Sequence, residues 1–238
     1  MGIADPHCHT TASDGMASPA ELVAAAKQAD LDLIAITDHD TMRNAREVRE
    51  RGEEAGLAVV VGMEVTTAWP AQTHVLGWFL EEAVPSGRSL ATTVDAIHAQ
   101  GGLAVIPHPF LPTYFASCQP GMLERLIESR TVDAVEIVHT APTTRGRQAR
   151  LERFFATHAD RLGARVGGSD CHFGAHDIGV AVTEFPGTTA DEFKLAVLAR
   201  TTDAHRTARR RSVPLSLLAR QQWRSLVDLP VRRLRGNL

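Results

Sequence analysis

Four residues that could bind a metal fall within ten positions near the start of the chain, in the stretch DPHCHTTASDG at 5–15. These residues are Asp5, His7, His9 and Asp14. His7 and His9 are two positions apart, and on a β-strand that spacing turns both imidazoles to one face. Asp170 and His172 repeat the spacing far along the chain. Imidazole and carboxylate groups gathered in this way can form a divalent metal site.

Further residues of the same types follow the predicted strands. They are Asp38, His39, Glu64, His74 and His108. Each has an ordinary explanation when taken alone: a His at a strand end is usually a hydrogen-bonded core or surface residue. The segment TDHD at 37–40 could likewise form a helix-capping turn through Asp40 or Thr41. Their joint placement favours a metal site, because the carboxyl ends of barrel strands meet at one mouth.

The elements that must position these residues alternate along the chain. Short apolar runs predict strands over 31–37, 57–65, 102–109, 134–138, 164–170 and 179–185, with an extra strand or hairpin over 73–80. Helix-start signals lie at Ser18-Pro19-Ala20-Glu21 and at Thr189-Ala190-Asp191-Glu192, and helices are also predicted over 42–55, 89–100 and 144–161. This alternation predicts an α/β fold with a parallel sheet or barrel.

The composition is typical of one large globular domain. The chain has 238 residues, 44% of them apolar, which suffices for the core of an α/β barrel. We find no secretory signal and no apolar run of membrane-spanning length, and we expect a cytoplasmic protein without a membrane partner. Three cysteines are too few for a disulfide framework. Cys8 and Cys171 each lie between two ligand-type residues and are predicted to point away from the metal site.

Six motifs in the chain resemble, in the same order, those of the polymerase and histidinol phosphatase (PHP) family of metal-dependent phosphoesterases. They are HCHTTASDG (7–15), TDHD (37–40), GMEV (62–65), HVLGW (74–78), PHP (107–109) and GSDCH (168–172). The resemblance covers nearly all of residues 1–200. It implies a distorted (β/α)7 barrel with two or three divalent metals at the C-terminal mouth of its strands.

Carried over position by position, the resemblance implies a complete ligand set. His7, His9, Glu64 and Asp170 would hold one metal, and Glu64 would bridge to a second metal bound by His74 and His108. Asp14, His39 and His172 would form a third site, at which some family members have His in place of Asp14. The expected catalytic residues are His7, His9, Glu64, Asp170 and His172. Imidazole and carboxylate ligands without thiolate suit Mn, Fe or Zn.

Such a site suits attack on phosphorus, because bridged metals lower the pKa of a shared water and hold it as hydroxide. Asp5, Asp38 and Asp40 are candidates for orienting the ligand imidazoles. Candidates for substrate binding are His139, Arg145, His176 and Tyr114. Tyr114 belongs with Phe110 and Phe115 to an aromatic segment that could stack a base or form a hydrophobic lid.

Residues 201–238 form an Arg-rich extension, with nine Arg against two acidic residues. An apolar helical face is predicted from Leu215, Leu218, Trp223, Leu226 and Val227. We expect this face to pack on the acidic barrel or on a partner subunit, with the Arg side chains in solvent. The alternative is an arm that binds nucleic acid.

The leading functional hypothesis is hydrolysis of a phosphate monoester of a small metabolite, a nucleotide or a nucleoside 3',5'-bisphosphate, by a metal-bridging hydroxide. The resemblance also allows a 5'-to-3' exonuclease on short RNA or DNA, or a histidinol-phosphate phosphatase. A non-catalytic accessory domain of a DNA polymerase is the remaining alternative, against which the complete ligand set argues.

Overall fold

A single mixed sheet, curved into a nearly closed barrel, organises the computed structural model, which describes residues 1–112 and 115–235. Its described strands are β1 (Gly2–Cys8), β2 (Leu33–Ile36), β3 (Ala58–Thr66), β4 (His74–Trp78), β5 (Leu103–Ile106), β6 (Ala134–His139), β7 (Ala164–Gly168), β8 (Ala181–Phe185) and β9 (Asp203–Arg206). They are arranged in the order β7-β6-β5-β4-β3-β2-β1-β8-β9. The predicted α/β barrel is confirmed.

The distortion of the barrel comes from strands that run against the others. β1, β2 and β3 are parallel neighbours, as are β5, β6 and β7. β4 lies antiparallel between the two sets, and β8 pairs antiparallel with both β1 and β9. The segments after β1 and β7 meet where Cys171 N donates to His7 O and His9 N donates to Cys171 O. These bonds bring the first and last motifs of the chain together.

Helices cover the outer side of the sheet and extend the chain beyond it. They are α1 (Pro19–Gln28), α2 (Ala45–Ala55), α3 (Leu90–His98), α4 (Pro120–Ile127), α5 (Arg145–Thr157), α6 (Ala190–Ala199), α7 (Leu215–Trp223) and α8 (Leu229–Leu234). The predicted start signals of α1 and α6 are confirmed as capping boxes, formed by Ser18 with Glu21 and by Thr189 with Glu192. Sequence reasoning missed α4. The cap of α2 is Asn44, so Asp40 and Thr41 do not cap a helix.

The inner face of the sheet changes from apolar to polar along its strands. Val60 on β3 and Ala134 on β6 are buried in the apolar cluster at the amino end of the barrel, together with Trp78. Alternate residues of a strand share a face. Glu64 and Glu136 therefore point to the same side of the sheet as Val60 and Ala134, but lie closer to the carboxyl ends of their strands. The barrel interior is therefore apolar at the amino ends of the strands and polar, though still buried, at the carboxyl mouth.

The Arg-rich extension does not begin as a separate unit, since β9 pairs with β8 and adds a strand to the sheet. The predicted apolar helical face does not pack on the barrel, and its packing on a partner subunit stays a prediction. Leu215, Trp223 and Leu226 are 84%, 64% and 70% exposed, whereas Gln221 is buried. Polar side chains of the extension contact the barrel, and Arg224 donates hydrogen bonds to backbone carbonyls of the loop after β1. The division at residue 200 stays a prediction.

Among the described residues, no helix has the length and apolar character needed to cross a membrane.

An ion pair at the amino end of the barrel gives a pH-dependent contribution to stability. His98 Nε2 lies 2.8 Å from Asp133 Oδ2, which also accepts from Ala104 N. The hydrogen bond that His98 donates to Asp133 raises the pKa of His98 above its ordinary value, although partial burial opposes this rise. Because the folded pKa exceeds the unfolded one, this stabilisation is complete below the unfolded pKa and is lost as the pH rises through the folded pKa.

We therefore expect His98→Ala to lower the melting temperature more at about pH 6 than at about pH 9. Thermal unfolding of both proteins, followed by circular dichroism, measures the difference at each pH. An equal difference at both pH values would show that the pair does not act through protonation of His98.

Candidate metal centre

Glu64, near the carboxyl end of β3, lies at the centre of the polar mouth. Its Oε1 is 2.7 Å from His74 Nδ1 and 3.1 Å from His108 Nε2. Its Oε2 is 3.2 Å from both His7 Nε2 and His9 Nε2. The carboxylate is fully buried. One side chain therefore joins four imidazoles from three separate segments of the chain.

Asp170 completes a first group of potential ligands with His7, His9 and Glu64. Its Oδ1 lies 3.3 Å from His7 Nε2 and 3.2 Å from His9 Nε2. One ligand atom from each of the four residues lies within 4.8 Å of the others. Asp170 has a φ of 52° and His108 a φ of 30°, in the left-handed region that non-glycine residues rarely adopt. Such backbone conformations concentrate at functional sites, where surrounding structure holds them in place.

His39 lies between the remaining ligand groups. It forms one group with Glu64 and His74, and another with His9, Asp14 and His172. Its Nδ1 is 3.4 Å from Glu64 Oε2, and its Nε2 is 3.7 Å from Asp14 Oδ1. The structure thus brings together all nine residues of the ligand set that the family resemblance implies.

The donor atoms of this cluster fit divalent metals. Several of them are buried and make no hydrogen bond of suitable geometry in the part of the chain that the structure describes, although some lie within ion-pair distance of a carboxylate. These atoms are both ring nitrogens of His9, Asp14 Oδ1, and the Nδ1 atoms of His39, His74 and His108. Unpartnered buried polar atoms are costly, and metal coordination would satisfy them.

The electrostatics keep the carboxylates in the ionised form that metals bind. Burial opposes ionisation of Glu64, but the surrounding imidazoles, first of all His74, outweigh it and hold the pKa of this carboxyl well below its usual range. The pKa of Asp14 is lowered in the same way, with His172 as the main opposing influence to burial. Burial lowers the pKa of His39 to about 3, so this imidazole is neutral and has a free lone pair.

Glu136, on β6, supports this centre, and sequence reasoning missed it. Its Oε1 lies 2.8 Å from His7 Nδ1, and its Oε2 accepts from His108 N at 2.7 Å. A carboxylate on the second ring nitrogen orients a ligand imidazole and increases its basicity. A Cβ on Gly168 would collide with Glu136 Oε1 and His7 Cβ, so the bare backbone there makes room for the pair. The available signal was a Glu within the apolar run AVEIV.

The three aspartates predicted to orient imidazoles hold backbone and hydroxyl groups instead. Asp5 accepts from Ser169 N and Gly179 N. Asp38 accepts from the backbone and hydroxyl groups of Thr10 and Ser13, in the loop that leads to Asp14. Asp40 accepts from Thr66 N and pairs with Arg233. Asp38 and Asp40 follow β2, whereas Asp5 lies within β1, and all three accept from N–H groups of segments near the ligands.

The cysteines take no part in the ligand groups found among the described residues. Cys8 Sγ donates to Asp5 O, and Cys171 Sγ donates to Asp177 Oδ1 at 3.1 Å. Burial raises the pKa of Cys8 to about 11. Both side chains point away from the ligands beside them, as the strand alternation predicts.

The predicted substrate-binding residues are scattered. His139 ends β6 and is buried, and His108 and Asp170 are close enough to influence its protonation. Its carbonyl accepts from Arg206. Arg145 begins α5 and is exposed. His176 is exposed beside α1 and α7, in a shallow cavity with Met16 and Leu217.

The predicted aromatic cluster is divided. Tyr114 lies outside the described residues. Phe110 is buried and packs edge-on against Phe154, with ring centroids 5.2 Å apart, so it belongs to the core. Phe115 is 51% exposed and lies 5.8 Å, between centroids, from Trp69, which is 72% exposed. Trp69 was not among the predicted site residues.

A barrel whose carboxyl mouth gathers imidazoles and carboxylates is the arrangement of metal-dependent hydrolases. The chain matches the PHP domain family over residues 5–178, and it belongs to that family. The protein is accordingly a metal-dependent phosphoesterase, a hydrolase. The resemblance drawn from the six motifs is confirmed.

Comparisons with known proteins agree on this fold and differ in activity. An uncharacterised protein of Methanocaldococcus jannaschii is 36% identical over 46% of this chain and 68% of its own length. A 5'-3' exoribonuclease of Haemophilus influenzae is 31% identical over 42% of this chain but only 37% of the enzyme. A 3',5'-nucleoside bisphosphate phosphatase of Chromobacterium violaceum is 25% identical over 77% of this chain and 71% of the enzyme.

Among solved structures, a two-domain protein of Bacteroides vulgatus that contains a PHP-like metal-dependent phosphoesterase has a similar fold. It superposes with a TM-score of 0.69 over 94% of this chain and 69% of that one, at 20% identity.

Glu136→Gln should weaken metal binding about 10–100-fold while leaving the barrel folded. The amide keeps the shape of the side chain but lacks the charge that holds His7. Dialysis against graded Mn²⁺, followed by elemental analysis, measures the change. Glu124→Gln, at an exposed position on α4, is the matched control. Equal metal retention by the two variants would contradict the role of Glu136.

Proposed function

We propose that this protein hydrolyses a phosphate monoester of a small phosphorylated metabolite, a nucleotide or a nucleoside 3',5'-bisphosphate. The observation that carries the proposal is the buried Glu64 carboxylate shared by imidazoles of several segments. A centre of this kind suits the charge of a phosphate group. The nucleoside bisphosphate phosphatase of C. violaceum supports the choice of substrate, because its similarity extends over most of both chains.

The residues that would hold the metals follow the groups brought together in the mouth. His7, His9, Glu64 and Asp170 form one position, Glu64 with His74 and His108 a second, and Asp14, His39 and His172 a third. Mn, Fe and Zn suit these donors. When bound there, divalent ions supply Lewis-acid charge for phosphate oxygens and acidify water for the attack on phosphorus.

His139 is the protein group best placed to meet the substrate outside the ligand set. Burial lowers its pKa to about 4, so the imidazole is neutral near pH 7. Its Nδ1 has no hydrogen-bond partner among the described residues. A neutral imidazole can donate an N–H to a phosphate oxygen without first being protonated. His139 would thus orient the phosphate, in the role that the sequence predicts for it.

The aromatic pair Trp69 and Phe115 supports a nucleotide substrate. The loop before β4 and the segment after β5 meet beside a candidate ligand: His74 N donates to Ala116 O at 2.9 Å, and Ala116 N donates to Ala71 O at 3.2 Å. These bonds place both exposed rings close to the mouth. Exposed aromatic rings there offer a surface on which a base can stack.

A 5'-to-3' exonuclease activity on short oligonucleotides is the second candidate. It is favoured by the similarity to the H. influenzae exoribonuclease, which is 31% identical over 42% of this chain. The same aromatic surface would then stack the terminal base. The two candidates differ in whether the substrate extends beyond one nucleotide.

Purified protein loaded with Mn²⁺, Fe²⁺ or Zn²⁺ should release phosphate from nucleoside 3',5'-bisphosphates faster than it shortens oligonucleotides. A panel with histidinol phosphate, cyclic phosphates and short RNA and DNA measures this preference. A chelator and the Glu64→Gln substitution should each lower activity by orders of magnitude. The chelator removes the metal ions, and the substitution removes the carboxylate charge that holds them. Glu124→Gln should behave as wild type. If the protein instead shortens oligonucleotides faster than it releases phosphate from bisphosphates, the exonuclease activity becomes the favoured function.

Trp69→Ala should raise KM for a nucleoside bisphosphate about 5- to 100-fold, the loss expected of one base-stacking contact. KM for glycerol phosphate, which has no ring, should stay unchanged. Trp223→Ala provides a control at another exposed tryptophan, on α7. An equal rise for both substrates would show that Trp69 shapes the site rather than stacks a base.

A further inference from the structure

The C-terminal helix α7 reaches the metal centre through one buried polar side chain. Gln221 is only 7% exposed, although the helix around it is largely in solvent. Its Nε2 donates to Asp14 Oδ2 at 3.1 Å, across 207 positions of sequence. Gln222 Nε2 donates to Gln221 Oε1 at 2.9 Å, which keeps the amide nitrogen of Gln221 turned to Asp14.

The two oxygens of Asp14 thereby have different surroundings. Oδ2 is held by Gln221, whereas Oδ1 faces His172 Nε2 at 3.2 Å and His39 Nε2 at 3.7 Å. Oδ1 is buried and makes no hydrogen bond among the described residues. Gln221 therefore turns one oxygen of Asp14 into the ligand group and holds the other outside it.

The same end of the chain also binds the loop that carries Asp14. Arg224 Nη2 donates to Thr11 O at 2.9 Å and to Ser13 O at 2.8 Å, and Arg232 donates to Ala12 O. These three carbonyls lie immediately before Asp14. The backbone of the loop is thus held by the extension from outside the barrel.

A second anchor lies beside His39. Arg233 forms an ion pair with Asp40 and donates to Thr66 Oγ1 at 2.8 Å. Asp40 is adjacent in sequence to His39, the other residue that faces Asp14 Oδ1. The extension therefore contacts both loops that supply the group containing Asp14 and His39.

We propose that Gln221 is a positioning residue for Asp14, and that docking of the C-terminal extension builds the metal position formed by Asp14, His39 and His172. This inference rests on the proposed function, because it concerns one of the metal positions assigned there. The Glu64 and Asp170 group is supported from β6 by Glu136 and does not depend on the extension. Loss of Gln221 should therefore act on one metal position selectively.

The test is a titration of the metal-free, full-length protein with Mn²⁺, in which the electron paramagnetic resonance signal of free Mn²⁺ reports binding. Gln221→Met has a side chain of similar length and no donor. We expect it to weaken one class of Mn²⁺ sites about tenfold or more and to leave the other classes at wild-type affinity. Gln221→Asn, which keeps the donor on a shorter chain, should give a smaller loss. Ser216→Ala, at an exposed position on the same helix, should match wild type.

Two outcomes would overturn the proposal: wild-type affinity in every class for Gln221→Met, or an equal loss in all classes. Melting temperatures of the metal-free proteins, measured in parallel, would separate selective loss of a site from loss of the fold. No substrate is present in the titration. Failure of the phosphatase assignment in the substrate panel would consequently be distinguishable from failure of this inference.

Discussion

Burial of the Glu64 carboxylate is the constraint on which the rest of the site depends. An ionised carboxyl at the centre of a barrel is destabilising unless positive or hydrogen-bonding groups surround it. The imidazoles of His7, His9, His74 and His108 all lie close to its two oxygens. They come from three segments, so the fold must bring these segments to one point. The nearly closed, mixed sheet does so at its carboxyl mouth.

The irregular features of the barrel follow from this convergence. His74 starts β4, which runs antiparallel to β3 and pairs Thr66 with His74. A regular parallel barrel would place the start of that strand at the opposite end. The reversal therefore brings a ligand from the beginning of a strand to a mouth otherwise formed by strand ends. The left-handed backbones at His108 and Asp170 likewise turn side chains inward where the chain leaves its strands.

The C-terminal extension shows how an amphipathic helix can dock by its polar face. The barrel mouth is rich in carbonyls and carboxylates, and the side chains that satisfy them are Gln221, Arg224 and Arg233. Arginine serves this purpose well, because one guanidinium can donate to two carbonyls at once. The apolar side chains of Leu215, Trp223 and Leu226 then remain exposed, whereas Leu229 is buried.

The sequence by itself determined the fold class, the start signals of α1 and α6, and the nine ligand-type residues. These features are local. A capping box or an alternate spacing is complete within a few residues, and the apolar pattern that predicts a strand lies within the strand itself. The family motifs then supplied the grouping into three metal positions, which stays a prediction.

Only the tertiary structure decided which groups support those nine residues. Glu136 meets His7 across 129 positions, and Gln221 meets Asp14 across 207. Trp69 and Phe115 meet through two loops with no common pattern. The apolar face of α7 does not pack on the barrel, which was one of the two predicted alternatives, because the hydrophobic periodicity of a helix shows only which face is apolar. Which face docks depends on the surface it meets, and the polar groups of that surface come from distant parts of the chain.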